Sequence, residues 1–334
     1  MLGLIVRRLL QLPLILLVIF TLTLSLAWAI PGNPLESTER NLDRDVAAAM
    51  KAQYKLDNFW SFYFSYLSNV TGVEYTRDML SGRLEARQQK ALDAGVAPPA
   101  ERFFNLGPSL QYRDRNVNEI VADSLPVSVT IGATAILIAV VIGVFAGVVG
   151  AAKPNSFADI GTLSVALIGI SLPSFVIGTL LLLVFGLWLS IFPIGGWGHI
   201  GNLVLPSVTL SLPFAAYIAR LTRMGMIDNM SADYIRTARA KGVRERNVLL
   251  RHALKNAFLP VLSFLGPACA LAMTGSFVVE RVFSVPGMGQ HFVNAVQNKD
   301  LFLLIGVVMV FATMLISLNL LVDVLYRWVD PRIQ

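Results

Sequence analysis

The residues able to do chemistry are few, and most are gathered in one place. Between Arg220 and Lys255 the chain carries nine basic and three acidic residues, a net +6 that equals the charge of the whole protein. Such a segment can hold an anionic surface, whether a lipid headgroup layer or an acidic cleft in another protein. Elsewhere the supply is thin. His199, His252 and His291 are scattered, and Glu280 and Asp323 stand at the ends of apolar runs. Asp323 has Arg327 four residues on, so a local helix-end pair accounts for it. No G-x-x-x-x-G-K-[ST] loop is present to cradle phosphates, and no H-E-x-x-H helix to hold zinc. The lone Cys269 offers no disulfide or metal framework. No serine, histidine and acid group suggests a nucleophilic site, so the chain does not read as an enzyme. Any uphill work must draw its energy from another subunit.

The elements that position these residues are membrane spans. Of 334 residues 55% are apolar and 14% charged, against about 25% charged in a soluble domain. Crossing a hydrocarbon core of about 30 Å takes about 20 apolar residues in a helix. Six runs qualify: Leu9–Ile30, Pro126–Ala151, Ile160–Leu187, Leu203–Ala219, Phe258–Val279 and Leu301–Val322. The last five contain no Lys, Arg, Asp or Glu. Arg7, Arg8 and Ala27-Trp28-Ala29 resemble a signal peptide, but the apolar run exceeds the usual signal core and reads as a span. With no ionisable group at mid-membrane, an ion-coupled carrier is disfavoured.

Lysine and arginine set the orientation. With the N-terminus inside, the inner connections hold 14 basic residues and the short outer loops only Arg281 and Lys299. Both termini are expected in the cytoplasm. Residues 1–30 then form the N-terminus and first span, 31–125 an extracytoplasmic segment, 126–322 a five-span core and 323–334 a cytoplasmic tail. The positive charge thus lies at the membrane and does not point to nucleic acid. Ala135, Ala139, Gly143, Gly147 and Ala151 form a small-residue stripe, suited to close packing within this chain or against a second subunit. Pro173, Pro213 and Pro267 lie inside spans, where each is expected to bend its helix.

The basic segment, 220–257, reads as two helices about a glycine. Ser231 is placed to cap the first, Asp233 lies in its first turn, and Gly242 can end it. Tyr234, Ile235 and Ala238 share a face, away from Arg236 and Arg239. Leu249, Leu250, Ala253, Leu254 and Ala257 form an apolar stripe running into the fifth span. Small residues Thr237, Ala238 and Ala240 would let a partner's groove close around the first helix; contact with anionic lipid is the competing reading.

Arg236-Thr237-Ala238, Gly242-Val243, Leu249 and Leu254-Lys255, in that spacing, resemble the signature of permeases of ATP-binding-cassette (ABC) importers. Arg236 and Thr237 depart from the family's Glu-Ala, and the string RTARAKG looks like the peptide-importing branch. Ile30-Pro31-Gly32-Asn33-Pro34, Pro286-Gly287-Met288-Gly289 and Asp330-Pro331-Arg332 resemble the same branch in order, as does the stretch beginning at Leu106. The resemblance implies an all-α permease of six transmembrane helices with the type I importer fold, carrying oligopeptides, or alternatively dipeptides, glutathione, nickel or antimicrobial peptides. It further implies a second permease subunit, two ATPase subunits that hold ATP and Mg, and an extracytoplasmic peptide-binding protein, in a bacterial inner membrane. This chain would bind no cofactor or metal itself. Tyr234, Arg236, Thr237, Ala238, Arg239, Lys241 and Gly242 would couple to an ATPase. Glu280, Pro286, Gly287 and Gly289 would lie in an outer gate loop.

The segment 31–125 is mostly polar, with an aromatic cluster from Phe59 to Tyr66. It is expected to be a helical cap on the outer interface, a docking surface or a vestibule wall. Glu74–Arg102 looks like an insertion of undetermined role.

Overall fold

The computed structural model describes residues 2–30, 44–93, 102–112, 115–274 and 276–329. These are helical apart from their connections and one isolated antiparallel bridge, Pro108 to Asn116. The motif residues Pro31–Pro34 and Asp330–Arg332 lie outside the described residues, as does the side chain of Arg327.

Helix α1 (Leu2–Ala29) is followed by four short helices, α2 (Arg44–Tyr54), α3 (Phe59–Val70), α4 (Val73–Leu80) and α5 (Arg83–Asp93). Then come α6 (Val117–Ala152), α7 (Phe157–Ser171), and α8 (Ser174–Leu181) with its π-helical extension Leu182–Trp188. The long α9 (Ile200–Met230) precedes α10 (Asp233–Ala240). A further helical stretch combines α11 (Glu245–Asn247), a π-helical turn Val248–Ala253 and α12 (Leu254–Ala257). The chain closes with α13 (Leu259–Met273), α14 (Phe277–Val282), α15 (Met288–Gln297) and α16 (Leu301–Val329).

Five helical segments are long and apolar enough to cross a membrane, and a sixth candidate is a bent pair. The pair, Phe157–Ser171 and Ser174–Trp188, turns by 107° at Leu172-Pro173. Pro173 has no N–H to donate and sits at the start of α8, so the third span is broken rather than gently kinked. Pro213 and Pro267, by contrast, remain inside α9 and α13.

Two spans outrun their apolar cores. Helix α6 begins at Val117, before Pro126, and α9 continues through Arg220 and Arg223 to Met230. Both therefore carry ionisable residues that a hydrophobic window places in connections, because hydropathy reads bilayer thickness and not helix length.

The chain divides into two compact units. The larger comprises Met1–Leu14, Ser124–Gln290 and Phe311–Gln334. Its core is built on Val127, Ile131, Ala135, Leu205, Ala268 and Phe283. The small-residue stripe of α6 packs within the chain. A Cβ at Gly143 would lie 2.6 Å from the Ala215 carbonyl, and one at Gly147 2.5 Å from Thr222. Helix α9 thus approaches α6 at backbone distance, as small residues permit. Arg8 pairs with Asp323 at 3.0 Å, so Asp323 has a partner from the first helix.

The smaller unit comprises Ile15–Asp123 and His291–Val310. Asn58 caps α3 by accepting from the amides of Trp60 and Ser61. This orients the aromatic face of α3 onto α1: Phe20 lies 5.0 Å from Tyr63 and 5.6 Å from Tyr66, ring centre to ring centre. Phe62 and Tyr66 meet Phe302 at 5.3 and 5.7 Å. The aromatic cluster is thus core, except for Trp60 and Phe64, which stay exposed. Buried Asp300 accepts from the Ser109 hydroxyl and from the amides of Leu110, Gln111 and Leu303. It thereby ties residues 109–111 to the start of α16, and burial still pushes its carboxyl above the usual range. Of the Glu74–Arg102 segment, the helices α4 and α5 are described and 94–101 are not.

Candidate functional site

Ser231 closes α9, its hydroxyl donating to the Asp228 carbonyl at 2.8 Å. It therefore does not cap α10, whose N-cap is Ala232 with no side-chain bond. Asp233 does occupy the first turn, where the helix dipole favours it. The other end follows the glycine rule. Gly242 has φ +75°, its N–H donates to the Arg239 carbonyl at 2.9 Å, and that of Val243 to Ala238 at 3.2 Å. The two bonds form a Schellman motif, which needs a left-handed residue at Gly242.

The faces of α10 separate cleanly. Ile235 (0% exposed) and Ala238 (7%) enter a cluster with Met226 of α9, Ala151 of α6, and Val248, Ala253 and Ala257. The small residue Ala238 faces inward and is closed to any partner; Thr237 and Ala240 are exposed. The Tyr234 hydroxyl donates to Asn229 at 2.7 Å and accepts from Asn256 at 3.1 Å, bracing the helix on both flanks. Arg239 bonds Glu245 at 2.7 and 3.2 Å, which clasps α10 to α11. Those hydrogen bonds hold the Glu245 carboxyl below its usual range. Arg236, with 72% of its side chain exposed, pairs with Asp233 at 3.3 Å. Arg236, Thr237 and Lys241 thus form the outward face of a short helix whose other side is fixed.

The other predicted group also comes together. Glu280, 1% exposed, accepts from the Ser128 hydroxyl at 2.8 Å and from the Gln290 amide at 3.1 Å. Ser128 in turn accepts from the Met288 amide at 2.8 Å. A Cβ on Gly287 would fall 2.4 Å from the Glu280 carboxylate, and one on Gly289 2.8 Å from the Phe277 backbone. Both glycines are there because the chain wraps a carboxylate. Pro286 is exposed on the same turn. Beyond the turn, α15 fills ten residues of the segment Glu280–Asp300.

The family model for the binding-protein-dependent transport system inner membrane component matches residues 125–334. The chain belongs to this family. It is 39% identical over 337 residues to the oligopeptide transport system permease protein OppB of Escherichia coli (strain K12), covering all of both chains. It is also 36% identical over 319 residues to the dipeptide transport system permease protein DppB of Bacillus subtilis (strain 168), covering 95% of this chain and 93% of that one. The chain is thus the membrane component of a binding-protein-dependent transport system and lacks an ATPase site of its own. Helix α10 and the Glu280 turn lie within the family region; α1 to α5 lie before it.

Within the same permease region the structure reveals a pair absent from the sequence reading. Asp159, 1% exposed at the start of α7, accepts from Arg223 of α9 at 2.5 and 2.7 Å, and from the Asn155 amide at 2.8 Å. A Cβ on Gly150 would sit 3.0 Å from Asp159, so α6 closes over the pair. The only local signal was Ser156, which caps α7 three residues earlier. No group of three or more His, Cys, Asp or Glu able to hold a metal occurs among the described residues.

Proposed function

We propose that the chain forms half of the translocation pathway of an ATP-driven oligopeptide importer and receives the ATPase stroke on α10. One observation supports this above the rest. Ile235 and Ala238 seat α10 on α9, α6 and the stretch leading into α13, while Arg236, Thr237 and Lys241 point outward. A push on the outward face is delivered directly to spans, because Ile235 and Ala238 pack in one cluster with Met226 and Ala257.

In this reading both termini and α10 lie on the cytoplasmic side of a bacterial inner membrane, which the lysine and arginine counts favour. The partners are a second permease, two ATPase subunits with ATP and Mg, and an extracytoplasmic peptide-binding protein. Residues 31–125 face outward. ATP closes the ATPase pair, α10 passes that movement inward, and the spans open to the outside, then revert to release cargo. Glu280, Pro286, Gly287 and Gly289 serve as the outer gate, moving as one braced piece because the carboxylate ties the turn to α6 through Ser128.

Peptide cargo is supported by the names of the full-length relatives. Uptake of labelled peptides of several lengths, in a strain lacking the gene and complemented with it, tests it. Complementation should restore uptake of peptides; failure at every length rejects the cargo.

A further inference from the structure

The smaller unit holds a cavity of about 530 Å³ that the transport reading leaves unused. That volume is within the range of about 300–1,000 Å³ typical of small-molecule sites. Its wall, among the described residues, carries two carboxylates, Glu74 and Asp78, and two guanidiniums, Arg87 and Arg102. Both signs are thus present in one lining. A bare anion would meet Glu74 and Asp78, and a bare cation would meet the arginines. A molecule with a carboxylate and an ammonium matches both.

One wall atom, the Tyr66 hydroxyl, is buried without a hydrogen bond on a residue only 2% exposed. Asp78 Oδ1, by contrast, faces Arg83 at 3.8 Å and Arg77 at 3.9 Å. Buried polar atoms are nearly always paired, so the Tyr66 orphan needs an account. Burial, with the charge of Asp300, raises the Tyr66 phenol far above its usual range, which keeps it a neutral donor. Asp78 gives its other oxygen to Arg87 at 2.8 Å. Arg102 spends one nitrogen on Glu119 at 2.8 Å. Each guanidinium has five N–H donors, so donors remain for a ligand carboxylate.

We propose that this cavity binds a small zwitterion of amino-acid or short-peptide type, its carboxylate on Arg87 and Arg102 and its ammonium on Glu74. The peptide-import reading contributes only the choice of probe. The assembled importer, purified without its binding protein and placed in lipid nanodiscs, is titrated calorimetrically with tri-alanine. The control is tri-alanine acetylated at its N-terminus and amidated at its C-terminus. Tri-alanine should bind saturably, and blocking both termini should weaken it by at least about tenfold. Glu74→Gln, which disturbs no ion pair seen here, should weaken it about fivefold. Tyr66→Phe should weaken it too, while leaving the complex folded. Absence of saturable binding, equal binding of the blocked peptide, or binding indifferent to both substitutions would overturn the site. Peptide uptake by wild-type cells is scored separately, so the cavity and the importer reading can fail independently.

Discussion

Arg223 of α9 grips Asp159 of α7 with two hydrogen bonds, 2.5 and 2.7 Å, at a depth where Asp159 has lost nearly all contact with solvent. The forked guanidinium matches the carboxylate, and the Asn155 amide takes a further bond to it. Helix α9 is the same helix whose Met226 supports Ile235, so the pair fixes the base on which α10 rests.

Removing one member of that pair should be costly. Asp159→Asn leaves Arg223 partly buried without a counter-charge, and thermal unfolding in detergent should show a loss of about 3–5 kcal/mol. The double variant Asp159→Leu with Arg223→Met should recover most of it, because no isolated charge is then buried. A single variant as stable as wild type would show that the pair is not structural.

The turn around Glu280 should tolerate no added carbon. Gly287→Ala presses a methyl against a carboxylate held by Ser128 and the Gln290 amide, and overpacking of this kind costs about 1–3 kcal/mol. Ser128→Ala should cost about 1–3 kcal/mol by leaving the Met288 amide and a carboxylate oxygen without that hydroxyl. Both are read as shifts in the unfolding midpoint, and a neutral Gly287→Ala would contradict the observed packing.

Acid should open the clasp between α10 and α11. Arg239 lowers the pKa of Glu245 in the folded state, so the contact's contribution is complete above the unfolded value and lost as pH falls through the lower folded one. Protection of the Gly242 and Val243 amides against hydrogen exchange should hold at neutral pH. It should decline in the window beginning below 4.5, the ordinary glutamate value. Glu245→Gln should lower protection at all pH and remove the acid step.

Legibility in the sequence followed the range of the interaction. Five of the six expected spans, with the bent pair as the sixth candidate, were readable because about 20 apolar residues are needed whatever the packing. Gly242 was readable as a helix stop because one backbone conformation demands it, and Asp233 because a dipole acts within one turn. The reach of α9 to Met230 was hidden, since Arg220 and Arg223 look like loop by hydropathy yet keep helical backbone bonds. Ser231 looked like a cap because a serine suits either side of a helix junction. Only the structure shows it closing α9. Ala238 looked available to a partner because spacing alone does not say which helix face has a neighbour. The Glu280 turn required Ser128 from a helix 152 positions away, and Asp159 required Arg223 at 64. No local pattern encodes either.

If the outward face of α10 carries the ATPase stroke, reversing its charge with Arg236→Glu and Lys241→Glu should break the coupling. Both side chains are exposed, and the solvent-facing Arg236–Asp233 pair contributes little, so the unfolding midpoint of the permease should hardly move. In the assembled importer, the ATPase subunits should no longer co-purify, or ATP hydrolysis should no longer drive peptide uptake. Uptake at the wild-type rate with both charges reversed would contradict it, and would return the basic face to the lipid surface.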